Sequence, residues 1–179
     1  MVFVIISIIC ISVIGTLSHF LYDISNHNKF VGLFSAVNES TWEHIKIALT
    51  PTLLWSLVDG IKYGSEPNYF LAKFVSLLVV ILLMPILFYG YQLFTKKDVV
   101  IFDILIFYIV ITASQLAFYY IINMNSVNSV IRYLSLIGIF IIFAGYLIHT
   151  ALPGKGFIFK DPITNKYGFK GHSEIKKKK

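Results

Sequence analysis

Apolar residues fall in five long blocks along the chain: Val2–Tyr22, Ile45–Val58 with its flanks, Tyr69–Phe94, Val99–Ile122 and Val130–Leu152. A helix needs about 20 apolar residues to cross the hydrocarbon core of a bilayer, and four of the blocks reach that length. The pattern predicts an all-α polytopic transmembrane bundle of about five helices over residues 1–154, followed by a basic tail over 155–179. The second block is irregular. Lys46 and Pro51 interrupt its first half, so it spans if Trp42 and Tyr63 act as interfacial anchors and is otherwise re-entrant. Between the first two blocks, at about residues 24–43, the run Phe30-Val31-Gly32-Leu33-Phe34-Ser35-Ala36-Val37 has the spacing of a helix lying in the membrane interface.

Composition agrees with a membrane protein. The chain is 57% hydrophobic and 13% charged, against about 25% charged in soluble domains. Its single cysteine, Cys10, excludes an internal disulfide. A net charge of +6 does not point to nucleic acid, because Lys155, Lys160, Lys166, Lys170 and Lys176 to Lys179 all follow the last apolar block. Such a tail contacts anionic lipid, at about 1 kcal/mol per residue near the surface.

The same lysines set the expected orientation, in a cell membrane of bacterial cytoplasmic type. With the tail in the cytoplasm, Lys96 and Lys97 also fall inside, the uncharged connection Asn123–Ser129 falls outside, and the N-terminus is outside. Lys62 stays in an outer turn, while Arg132 and Lys73, near outer ends, are expected to snorkel. Met1-Val2-Phe3-Val4 offers no basic start and no small-x-small cleavage site precedes Asp23, so the first block reads as a helix rather than a signal peptide.

That topology brings chemistry to one depth. His19 ends the first helix, Glu39, Glu43 and His44 enter the second, Asp103 begins the fourth, and His149 ends the fifth. Ionisable groups at membrane depth are costly and usually face the bundle interior or a wet cavity. Histidines with a carboxylate are also the ligand set of catalytic zinc, whose bound water has a pKa of about 7. The expected site therefore has His19, His44 and His149 as ligands to a divalent metal, zinc by donor type, with Glu39, Glu43 and Asp103 as catalytic carboxylates. Each residue also has a structural explanation. Ser40-Thr41-Trp42-Glu43 fits a capping box, and Glu43 can instead pair with Lys46. His19 and His149 can serve at helix ends against the dipole. Asp59, some 15 residues beyond His44 and so on the order of 22 Å along a helix, is placed at the outer end near Lys62 and is expected to matter less than Asp103. His27 and His172 lie in polar segments and carry no signal of their own.

Three stretches carry a resemblance. Ala36-Val37-Asn38-Glu39-Ser40-Thr41-Trp42-Glu43-His44, the earlier Ser18-His19-Phe20 and the late Asp161-Pro162-Ile163-Thr164-Asn165-Lys166-Tyr167-Gly168 resemble a family of short bacterial integral membrane proteins of unknown function. A looser similarity is to the membrane hydrolases of the alkaline ceramidase and progestin-receptor superfamily, which bind zinc with three histidines near a serine and an aspartate. Ser18, His19, His44, Asp103 and His149 supply those residue types, but a late HxxxH and seven helices are missing. With no nucleotide loop, CxxC pair or GxSxG elbow, the reading is a membrane-embedded hydrolase or transferase acting on a lipid-type substrate. The alternatives are a proton- or cation-coupled transporter using the same groups, and a non-catalytic accessory subunit. The Asp161-Pro162 tail segment is expected to form a turn that folds back on the inner face.

Overall fold

A computed structural model of the protein describes residues 1–97 and 99–175; Asp98 and the basic run Lys176 to Lys179 lie outside the described residues. Helices account for the apolar blocks because a helix satisfies its own backbone where water cannot. They are α1 (Val2–Ile24), α2 (Lys29–Gly32), α3 (Thr41–Tyr63), α4 (Tyr69–Thr95), α5 (Val100–Ile122), α6 (Ser129–Ala151) and α7 (Phe169–Ile175), with a 3-10 turn at Phe157–Phe159. No strand occurs among the described residues. Asn28 and Asn128 cap α2 and α6, each accepting a hydrogen bond from a backbone N–H of the first turn.

Four helices, α1, α4, α5 and α6, are long and apolar enough to cross a membrane. Large apolar side chains stand exposed along them, Ile5, Leu93, Ile109 and Ile141 among them, as a surface facing lipid rather than water requires. The five long helices alternate in direction. Gly15 of α1 meets Ile47 of α3, so closely that a Cβ would lie 2.6 Å from the Ile47 carbonyl oxygen. Ser76 of α4 hydrogen-bonds Ser114 of α5, and Gly138 of α6 lies under the Phe74 ring of α4. Small residues at such crossings let backbones approach. Ile11, Ala48, Leu77, Val80, Val110 and Ile111 form the sealed centre.

The second apolar block becomes α3, as long as α1 but outside the set of four. Most of its polar residues point inward. Almost every position from Thr41 to Thr52 is buried, and Asp59 is 0% exposed. Asp59 is thus not an exposed outer-end carboxylate, and Lys73 does not snorkel: the two form a buried ion pair between α3 and α4. The short turn at 64–68 brings the helices together antiparallel, so an aspartate one turn before it faces a lysine just over one turn after it. Asn68 closes the same end. Its amide donates to the carbonyls of Ile121 and Met124, and its Oδ1 accepts from Val127 N–H, which fixes the uncharged α5–α6 connection.

At the opposite end the anticipated interfacial helix is only the single turn α2; residues 33–40 continue as irregular chain, with Ser35 to Asn38 buried. The tail folds back onto that segment, with Lys160 bridged to Tyr167.

Burial of Asp59 and Lys73 reverses the expected ranking of the two aspartates. Asp59→Leu should lower the thermal midpoint in detergent far more than Asp103→Leu, since breaking a buried pair costs about 3–5 kcal/mol. The double variant Asp59→Leu/Lys73→Met should recover most of the loss. A larger loss from Asp103→Leu would contradict the buried pair.

Candidate functional site

The ends of α1, α3 and α5 frame a cleft of about 440 Å³, and two imidazoles and two carboxylates reach it: His19, His44, Glu39 and Asp103. The remaining wall is largely apolar, from Phe20, Ile47, Ile104 and Phe107. His44 sits in the first turn of α3, where its Nδ1 lies 3.1 Å from the Ser40 carbonyl and its ring stacks on Phe88. A carbonyl only accepts, so Nδ1 carries the hydrogen and neutral His44 keeps its Nε2 lone pair free. That nitrogen points at Glu39. Glu39 stands between two imidazoles, with Oε2 3.8 Å from His44 Nε2 and Oε1 3.8 Å from His19 Nε2. Both separations exceed a direct hydrogen bond, and the Glu39 side chain is 40% exposed. Asp103 faces the cleft from α5, with Oδ1 accepting a 2.6 Å hydrogen bond from Tyr91. Tyr91 in turn accepts from Val99 N–H.

Glu39 belongs to irregular chain, so its placement needs separate support. Asn38 makes a local turn, its Oδ1 accepting from Ser40 N–H, while its amide donates to the Gly168 carbonyl. Fully buried Asp161 accepts from Glu39 N–H at 2.9 Å with one oxygen and from the Thr164 N–H and hydroxyl with the other. The left-handed backbone at Asn165 and Gly168 (φ +59° and +54°) turns the tail so that these groups reach. The Asn38-Glu39-Ser40 stretch and the Asp161-to-Gly168 stretch are two halves of one joint.

Glu43 does not reach the cleft. It forms a buried ion pair with Lys46 at 2.6 Å and accepts from Val37 N–H, while Lys46, 1% exposed, donates to the Gly32 carbonyl. The capping box is also absent, because Ser40 N–H is already bound by Asn38. His149 goes elsewhere too: it packs against Trp42 and Phe159, with ring centroids 5.6 and 5.1 Å away, and does not line the cleft. The structure brings together His19, Glu39, His44 and Asp103 and separates Glu43 and His149 from them. Sequence alone assigns no site role to Tyr91, Asn38 or Asp161. Asn38 and Asp161 both fall in the stretches carrying the family resemblance, and Asp161 also begins the segment expected to turn back on the inner face. Asp23, His27 and His172 also meet at this end of the molecule.

Asp161 carries a direct test of the joint. Asp161→Ala leaves the Glu39 N–H and the 164 turn without acceptors, a loss of about 1–3 kcal/mol for a buried group. Amide hydrogen exchange over residues 157–168 should accelerate in this variant, together with exchange at Glu39. Unchanged protection of both segments would show that Asp161 does not hold them.

No curated protein and no solved structure matches the chain. A family model does match, over residues 1–169, a span that includes both halves of the joint and all four cleft residues. The chain belongs to that family, a family of unknown function designated DUF6512.

Proposed function

We propose that the protein is a membrane-embedded hydrolase or transferase acting on an amphiphilic, lipid-type substrate. One observation carries this: an apolar-walled cleft whose polar end gathers a carboxylate between two imidazoles, with a second carboxylate opposite. An acyl or isoprenoid chain suits the Phe20, Ile104 and Phe107 wall, and the polar head meets His44, Glu39 and His19. His44 Nε2, with its tautomer set by the Ser40 carbonyl, takes the proton of a water or hydroxyl nucleophile. Glu39 steadies the imidazolium that forms, His44 then gives that same proton to the leaving group, and His19 on the other side of Glu39 contacts the polar head. Asp103, held by Tyr91, orients the head group or nucleophile from α5.

Glu39 offers one oxygen to each imidazole instead of all three residues facing one point, which favours proton transfer over a metal centre in this cleft. Drawn inward, the same three residues would form the two-histidine, one-glutamate set of a catalytic zinc, which would supply an activated water. The site end is cytoplasmic in this reading, because Lys96, Lys97 and Lys155 stand at it, and the basic tail contacts anionic lipid.

Two experiments bear on the reading. Purified protein incubated with total membrane lipid should alter at least one lipid species by mass spectrometry. Glu39→Gln and His44→Ala should slow this by about 10²-fold or more, whereas His149→Ala should retain turnover. Identical lipid profiles for wild type and Glu39→Gln would end the enzyme reading, and dissipation of an imposed pH gradient in liposomes without lipid change would replace it with a proton relay. For orientation, cysteines introduced at 124–128 should react with impermeant thiol reagents on intact cells, while ones at 155–160 should not. Labelling of the tail from outside would invert the assignment.

A further inference from the structure

Beyond the cleft, the end of α1 and the start of the tail helix meet in a second cluster. Asp23 lies in the last turn of α1, and His27 follows through a turn in which Asn26 and His27 both adopt left-handed backbone, φ +55° and +62°. His172 arrives from α7, near the other end of the chain. The Nε2 atoms of both histidines lie 3.0 Å from one oxygen, Asp23 Oδ1. Potential ligand atoms of the three residues all fall within 4.8 Å of one another. The imidazole centroids are 4.5 Å apart, and the Tyr22 ring packs edge-on to both.

An ordinary i, i+4 ion pair accounts for Asp23 and His27, whose nitrogen and oxygen are aligned as a hydrogen bond. It does not account for His172. That side chain is only 14% exposed, and its Nε2 is buried without a directed hydrogen bond, despite its approach to Asp23. A buried polar atom left this way costs free energy. Two imidazoles converging on one oxygen repel if both are protonated, and the His172 Nε2 in any case approaches that oxygen without a directed hydrogen bond. A cation among the three resolves both problems.

We propose that Asp23, His27 and His172 form a binding site for a divalent transition metal, zinc in the first instance, that clamps the tail helix to the end of α1. Two imidazoles and a carboxylate are a borderline donor set suited to zinc. A tetrahedral zinc places neighbouring ligand atoms about 3.3–3.5 Å apart, close to the 3.0 Å from each Nε2 to Asp23 Oδ1. The fourth position opens to solvent beside the exposed Asp23 carboxylate. None of the three residues lines the cleft, so the site is distinct from the proposed catalytic centre. Its occupancy still bears on that centre. Helix α7 follows directly on Gly168, whose carbonyl holds Asn38, and the same tail supplies Asp161 to Glu39. Metal at the clamp fastens the joint that positions Glu39.

The test uses full-length protein in detergent, freed of any histidine tag, stripped with chelator, reloaded with zinc chloride and desalted. Wild type should retain about one zinc per chain by elemental analysis, as a single three-residue site requires. Asp23→Asn, His27→Asn and His172→Asn should each lose it, while His44→Ala and His149→Ala keep it. Zinc should raise the thermal midpoint of wild type and leave that of His172→Asn unmoved. X-ray absorption on the unmutated zinc protein should report two imidazole nitrogens, a readout that does not depend on any variant folding. Failure of wild type to retain zinc, or full retention by His172→Asn, would overturn the proposal. Loss in His44→Ala but not in His172→Asn would place the metal in the cleft and overturn it as well.

Discussion

Residues 33–40 leave the regular helices and yet run buried from Ser35 to Asn38 at one end of the bundle, where backbone polar groups must find partners other than water. The Glu43–Lys46 pair meets much of that requirement. Lys46 spends one donor on the Gly32 carbonyl and another on Glu43, which accepts from Val37 N–H. Tyr146 of α6 binds the Leu33 carbonyl and is itself bound by Thr50 of α3. Asp161 and Gly168 of the tail complete the set at Glu39 and Asn38. A charge pair with no water around it is a poor source of stability by itself, because desolvation offsets most of the attraction. Here its value lies in geometry: both charges remain hydrogen-bonded to backbone, so the irregular chain has one well-satisfied path across the end of the bundle.

α3 is the element that makes this arrangement possible. Lipid-facing helices carry their apolar side chains outward, as α6 does with Phe140 and Ile141. On α3 much of the surface is covered by α1 and α4, so Glu43, Lys46, Thr50 and Asp59 can sit inside where each meets a partner. Its two buried pairs stand near opposite ends of the helix. Between them Ala48, Leu49 and Thr52 pack without exposed area, and the close approach of Gly15 sets how near α1 lies. Hydropathy passes over such a helix because the measure assumes that apolar faces carry the burial.

The apolar blocks made the helices and their order legible, and alternation along the chain was enough to bring His19, His44 and Asp103 to one end. Depth is a one-dimensional quantity, however, and a shared depth does not give a shared azimuth. His149 has the right depth but faces Trp42 and Phe159 across the bundle. Glu43 is one residue from His44 in sequence, and that single step of about 100° on a helix turns it from the cleft into the interior, toward Lys46. The same reason applies to Asp59 and Lys73: each taken alone has the look of an end-of-helix charge, and only the α3–α4 crossing shows that they face each other. His27 and His172 had no periodic context, since their meeting depends on the course of the tail.

The joint also explains how a site built partly on irregular chain can be held in place. Catalytic groups work when their supporting atoms are fixed and the reacting atoms remain free. Glu39 satisfies both conditions, with its N–H bound to a buried carboxylate and its side chain extended into the open between two imidazoles. His44 is similarly fixed through Nδ1 and free at Nε2. His19, on α1, needs α1 to stay against α3, which the Gly15–Ile47 approach secures. The anchors of the site thus come from the bundle on one side and the tail on the other. Loosening the tail would release Glu39 while leaving His19, His44 and Asp103 on their helices, so Glu39 is the member of the site whose position the tail can govern.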